Sequence, residues 1–255
     1  MATALVTGGT SGIGWAFSRF LARGGYDIVL VARDSARLRS CRDELILNCG
    51  VDVEIITADL AIREDMVRIA SRLEDEARPI DVLVNNAGFG LHAGLLTPEW
   101  GIHEKALDVM CLAVLLLGGA AGRAMKSRGH GIIINISSLA SWISQGHYSP
   151  VKAWVRSYSE GLGDELFGSG VKVTAVCPGW VKTEFHQRAG ISTKKIPGWI
   201  WVDADKMVAT AWAEIVRGKS ISIPAKRWKV AAFLARHAPR GAVRFVSRML
   251  VKSRS

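Results

Sequence analysis

The chain of 255 residues is 49% hydrophobic and 22% charged, with a mean hydropathy of +0.19, which supplies one sizeable core and excludes a disordered polymer. Its net charge of +10 is uneven: from Arg217 onward there are 11 Lys or Arg and no Asp or Glu, so the first 216 residues stand at −1 and the basicity belongs to the tail. That distribution, with no recognition motif, argues against a nucleic-acid partner for the body.

The apolar run from Val109 to Gly122 is shorter than the roughly 18 to 20 residues of a bilayer span and reads as a buried helix. Met1 leads straight into a strand-like segment with no basic stretch before it, so no signal peptide is expected. Cys41, Cys49, Cys111 and Cys177 form no Cys-x-x-Cys pair, and His92, His103, His130, His147, His186 and His237 lack metal-ligand spacing. Neither a disulfide framework nor a metal site is expected, and a reduced, cytoplasmic setting fits.

Strands are predicted at Ala2–Thr7, Asp27–Ala32, Val51–Thr57, Asp81–Val84, Gly131–Ile136 and Val171–Val176, with a short last one at Ser220–Ile223. Between them, Ile13–Arg23, Ser35–Asn48, Ile62–Ala77 and Pro150–Leu166 repeat apolar residues every third or fourth position and are predicted helices. Strand–helix alternation of this pitch implies a parallel sheet covered on both faces, in a domain spanning residues 1–218. Residues 219–255 hold the last strand and a basic amphipathic helical tail, broken at Pro239-Arg240-Gly241.

Directly after the first strand comes Thr7-Gly8-Gly9-Thr10-Ser11-Gly12-Ile13-Gly14, opening a helix. Glycine lets backbone approach a pyrophosphate, and the unpaired amides of the helix start favour an anion, so this is a dinucleotide loop in a Rossmann-like, doubly wound α/β fold. The second strand ends at Ala32-Arg33-Asp34, where the adenosine ribose should lie. Arg33 there pairs well with a 2′-phosphate, with Arg37 as helper, which favours NADP(H) over NAD(H). The alternative is that Asp34 takes the ribose hydroxyl and Arg33 is a solvated charge.

With these residues the sequence resembles the short-chain dehydrogenase/reductase family over most of residues 3 to 185. Thr7-Gly8-x-x-x-Gly12-Ile13-Gly14 is similar to its cofactor glycine motif, Asp59-Leu60 to its adenine contact, and Asn85-Asn86-Ala87-Gly88 to its sheet-stabilising, cofactor-lining motif. Ser137-Ser138, Tyr148-x-x-x-Lys152 and Pro178-Gly179-x-Val181-x-Thr183 follow in family order. The resemblance implies an oxidoreductase on a carbonyl/alcohol pair, with Thr183, Val181 and the Pro178-Gly179 backbone holding the nicotinamide side. It also implies a homo-oligomer paired through the helices around Leu107–Ala124 and Val151–Phe167.

The chemistry stands on its own. A tyrosine hydroxyl with a pKa near 10 is a poor acid or base at neutral pH unless positive charge stabilises the phenolate. Lys152, four residues along a helix from Tyr148, supplies that charge, and Pro150 between them costs little in a first turn. Tyr148 is then the proton donor in reduction and the base in oxidation, while Ser138, with Ser137 second, holds the substrate oxygen.

One position departs from the family pattern. The asparagine usual in the helix after Asn-Asn-Ala-Gly, which helps hold a water linked to the lysine, is Met110 here, and no asparagine lies between Asn86 and Asn135. A main-chain carbonyl freed by a helix distortion would serve in its place. If it does not, the chain is a non-catalytic NADP(H) sensor or scaffold acting through its tail.

Seven of the nine tryptophans fall between Trp142 and Trp228. Trp142, Trp180, Trp199 and Trp201 are candidates to wall a pocket for a bulky lipophilic carbonyl, such as a ketoacyl chain or ketosteroid-like ring; each is otherwise core or subunit contact. In the tail, Arg236, Arg240, Arg244, Arg248 and Lys252 recur at intervals of four. Such a helix lies on an anionic membrane, docks an acidic partner, or packs on its own domain.

Overall fold

The structure, a computed structural model, describes residues 1–91, 93–185 and 197–252. Seven parallel strands form one sheet: β1 (Thr3–Thr7), β2 (Asp27–Ala32), β3 (Val53–Thr57), β4 (Val82–Asn85), β5 (Gly131–Ile136), β6 (Val171–Val176) and β7 (Ile221–Ser222), in the order β3-β2-β1-β4-β5-β6-β7. The order reverses between β1 and β4, leaving a crevice at the carboxyl ends where α/β sheets bind ligands.

Residues alternate between two cores as the pleat requires. Leu5 of β1 and Leu83 of β4 face one cluster, Ala4 and Val6, Val82 and Val84 the other. The second cluster is closed by α1 (Gly12–Arg23), α2 (Ser35–Cys49) and the later α7 (Ala204–Ile215), through Phe17, Leu21, Leu38, Met207 and Ile215. The first is closed by α3 (Arg63–Leu73) and the long helix formed by α4 (Gly101–Leu107), a π turn (Asp108–Leu112) and α5 (Ala113–Arg128). By length and composition the stretch Gly101–Arg128 suffices to cross a membrane; here Ala106, Met110, Leu117, Ala120 and Met125 pack it into that core.

The predicted elements recur with edges moved by local hydrogen bonding. The third helix stops at Leu73 rather than Ala77, because Asp75 Oδ1 accepts the Ala77 N–H and offers the backbone a turn in place of another helical residue. α6 (Tyr148–Glu165) starts two residues ahead of Pro150, which puts the proline among amides that have no helical partner in any case. The tail forms α8 (Lys226–His237) and α9 (Arg240–Lys252), broken at Ala238-Pro239. His92 and His186 lie outside the described residues.

A chain of buried amides joins the central strands to α6. Asn85 Nδ2 donates to Asn135 Oδ1 at 2.9 Å, Asn135 Nδ2 to Ser159 Oγ at 2.9 Å, and Ser159 Oγ to the Val155 carbonyl at 2.7 Å. All three side chains are satisfied, so this network fixes how β4, β5 and α6 meet instead of penalising burial.

Candidate active site

The glycine loop is shaped by space as well as by conformation. Gly8 (φ +63°) and Gly12 (φ +54°) occupy backbone that side chains avoid. At Gly14 the reason is contact: a Cβ there would fall 2.3 Å from the Gly8 carbonyl oxygen and 2.4 Å from Asn86 Nδ2. Asn86 ties this loop to β4, donating from Nδ2 to the carbonyls of Thr7 (3.0 Å) and Gly8 (3.2 Å). Thr7 Oγ1 accepts the N–H groups of Asn86 and Ala87 at 3.0 and 3.1 Å. A Cβ on Gly12 would touch Thr183 at 3.3 Å, so the Pro178–Thr183 segment closes over the loop from the β6 side. This cradle, narrowed until only backbone fits and lying beside the start of α1, suits a pyrophosphate.

At the ribose end, Arg33 is exposed, with Nη1 3.9 Å from Asp59 Oδ2. Asp34 caps α2, its Oδ1 accepting the Arg37 N–H at 3.0 Å. Arg37 is held from two sides: its Nε donates to the Thr10 carbonyl at 2.9 Å and its Nη groups clasp Glu184 at 2.7 and 3.1 Å. Nothing in local spacing announces that Arg37–Glu184 pair, whose partners are 147 residues apart.

A cavity of about 630 Å³ opens at the switch point and takes in Ser11, Gly12, Asn86, Ser138, Tyr148 and Lys152 together. Ser137 also borders it, but its Oγ is buried and donates to the Lys152 carbonyl at 2.7 Å, an anchor for α6. Ser138 Oγ accepts the Ala140 N–H at 3.1 Å and keeps its own proton for other partners. Lys152 follows Tyr148 by one turn, with Nζ 5.7 Å from the phenol ring centroid and 2.9 Å from the Ile136 carbonyl it donates to. Burial pulls the Lys152 pKa down to about 8. Cys111 and Cys177 are driven up to about 11 and about 12, also by burial, so both stay neutral thiols beside that ammonium.

Met110 is fully buried inside the π turn, where the Ala113 N–H reaches back five residues to the Asp108 carbonyl. Its sulfur lies against Gly88: a Cβ there would sit 3.1 Å from Sδ. The helix distortion is therefore present without the asparagine, while the side chain fills space above the Asn86-Ala87-Gly88 loop.

The tryptophan expectation is corrected. Of the four candidates only Trp180 borders the cavity; Trp201 stands edge-on behind it at 5.4 Å, Trp142 lies under Arg156, and Trp199 is 69% exposed. The second wall tryptophan is Trp228, from the tail. His147, beside the tyrosine, is turned to His103, with their Nδ1 atoms 2.9 Å apart.

A doubly wound sheet with a pyrophosphate cradle at its switch point is the architecture of dinucleotide-dependent oxidoreductases. The chain belongs to the short chain dehydrogenase family, whose sequence profile matches residues 2–193. It is 33% identical over 183 residues to an uncharacterized oxidoreductase of Staphylococcus saprophyticus, covering 71% of this chain and 78% of that protein. A short-chain dehydrogenase from Sphingobium yanoikuyae in complex with NADPH superposes with a TM-score of 0.83 at 34% identity, covering 92% of this chain and 94% of the other. The bulky-bulky ketone specific alcohol dehydrogenase from Comamonas testosteroni superposes with a TM-score of 0.80 at 28% identity, covering 96% and 95%.

Proposed function

We propose that the protein interconverts a carbonyl and an alcohol with NADP(H), on a bulky lipophilic substrate. The observation that carries the reading is the convergence of Ser138, Tyr148 and Lys152 on the cavity that also takes in Ser11, Gly12 and Ile13 of the glycine loop. Bound NADPH supplies the hydride that the carbonyl carbon takes up. Ser138 Oγ–H holds the carbonyl oxygen, and Tyr148 gives its phenolic proton to that oxygen as the C–O double bond becomes single. Lys152 lowers the cost of the phenolate left behind, and in the reverse direction the same phenolate takes the alcohol proton.

The Rossmann loop residues Gly8, Thr10, Ser11, Gly12, Ile13 and Gly14 take the pyrophosphate in this reading, Asp59 and Leu60 the adenine, and Asn86, Ala87 and Gly88 the floor. Pro178, Gly179, Val181 and Thr183 take the nicotinamide side. Arg33 meets the 2′-phosphate; the capping duty of Asp34 favours this over a ribose carboxylate. NADPH in the Sphingobium relative supports the choice. Leu91, Ile143, Trp180, Phe185 and Ile200 give the cavity an apolar wall, in keeping with the substrate class that names the Comamonas enzyme.

The test is NADPH oxidation with a panel of ketones, comparing the native chain with Tyr148→Phe. Loss of about 10²- to 10⁴-fold in turnover with NADPH affinity retained is expected. Binding of NADPH with no turnover of any carbonyl returns the protein to the sensor reading, and faster turnover of small polar sugars defeats the lipophilic one.

Two further parts of the proposal concern association. Exposed Leu107, Leu115 and Trp154 on the long helices support a homo-oligomer, which sedimentation tests. The tail exposes Val230, Phe233, Leu234 and Phe245 on the two helices that carry Lys226, Arg236, Arg244 and Arg248, which supports peripheral docking on an anionic membrane. Flotation with anionic vesicles should fall with salt and with Phe233→Ser/Phe245→Ser; equal flotation of variant and native chain defeats it.

A further inference from the structure

The tail reaches the cavity. α8 is clamped to the body at two points: Lys229 pairs with Glu214, whose side chain is 4% exposed, and Arg227 Nη2 donates to the Trp201 carbonyl at 2.9 Å. Between these anchors the Trp228 indole lies against Gly179, where a Cβ would fall 2.3 Å from Cε2 and 2.5 Å from Nε1. Gly179 does not have positive φ, so it lacks a side chain to make room for this ring rather than to satisfy the backbone. One helix later, buried Ser247 Oγ accepts the Ser144 N–H at 3.2 Å, on the loop between Ser138 and Tyr148. The tail thus braces both loops that frame the candidate reacting groups.

The indole fills the space beside Gly179. Its Nε1 is buried with no hydrogen-bond partner among the described residues, an arrangement that buried tryptophans ordinarily avoid and that packing must offset. A smaller apolar side chain would leave no such orphan, but it would also leave the space beside Gly179 open.

We propose that Trp228 is a specificity-determining residue of the substrate pocket, setting the size of carbonyl substituent that fits beside Gly179. This rests on the carbonyl reading above. The test compares native protein, Trp228→Ala and Trp228→Phe on a small cyclic ketone and a ketone with two large substituents, alongside NADPH affinity and thermal stability. Trp228→Ala is expected to raise the ratio of kcat/KM for the large over the small ketone by about 10-fold or more, mostly through KM, with Trp228→Phe intermediate. NADPH affinity should stay within about threefold of native, since the glycine cradle is untouched.

An unmoved ratio overturns the proposal, as does a uniform loss on both ketones with weakened NADPH binding, which would make Trp228 a prop for the Gly179 loop. Should Trp228→Ala fail to fold, Trp228→Phe carries the comparison. If native protein turns over neither ketone, the carbonyl reading fails separately. Dissociation constants of the two ketones on NADP-loaded protein, measured by calorimetry, then give the same size ratio without turnover.

Discussion

The two ends of the cavity are built from different material. At the cofactor end, backbone does the shaping: Gly8, Gly12 and Gly14 bring main chain within reach of Asn86 and Thr183, and buried amides leave little slack. At the other end, proposed above for the substrate, apolar side chains from four separate stretches, Leu91, Ile143, Trp180 and Trp228, make the wall. A backbone cradle rejects a single added methyl, whereas a side-chain wall absorbs change and converts it into a different preference.

The most severe test falls on Lys152, where the two ends meet. Its pKa is about 8 when folded against 10.5 for an unperturbed lysine, so between those pH values the unfolded chain holds a proton that the folded chain has released. Stability of the cofactor-free protein should therefore rise with pH across that window, by about 3 kcal/mol in total, and the burial penalty is present in full below pH 8. In denaturant titrations Lys152→Met should remove the rise, so any advantage of the variant at pH 7 narrows toward pH 10; a pH-independent difference would contradict the burial seen here.

Gly14→Ala comes next. With no rotamer to relieve a contact on the Gly8 carbonyl, the loop must shift, at a cost of about 2 to 3 kcal/mol that equilibrium binding should show as roughly 100-fold weaker NADPH affinity. Binding within a few-fold of native would mean that the cradle yields as the wall does. Arg33→Ala should weaken NADPH by about 10-fold or somewhat more and leave NADH nearly unchanged, since one charge-assisted contact is lost; equal losses for both cofactors would remove Arg33 from the phosphate. The smallest effect is expected at Met110→Leu, a volume-conserving change inside the π turn. Turnover should stay within about threefold if the backbone there does the work, and a larger loss would show that the thioether matters.

Much of the cofactor end was legible because its signals are local. A glycine loop between a strand and a helix, and a tyrosine and lysine one helical turn apart, announce themselves at short range, and the structure places all of them at one cavity. The polar anchors behind them were not legible: Asn135 and Ser159 reach across 24 residues to meet, and Thr7 serves Asn86 across 79. At the other end clustering of tryptophans pointed to the right region and to one wall residue of four, Trp180, and missed Trp228, because a count along the chain carries no information about which face of an element meets the cavity.

By itself the amino-acid order determined the alternation of strand and helix, the glycine loop between β1 and α1 and the Tyr148–Lys152 spacing, since each follows from chain geometry over a few residues. The tertiary structure alone decided that Arg37 pairs with Glu184, that Met110 fills the space above Gly88, and that a tail tryptophan needs Gly179 bare. Those contacts join residues far apart in the chain, and which of them form is settled by how whole elements pack.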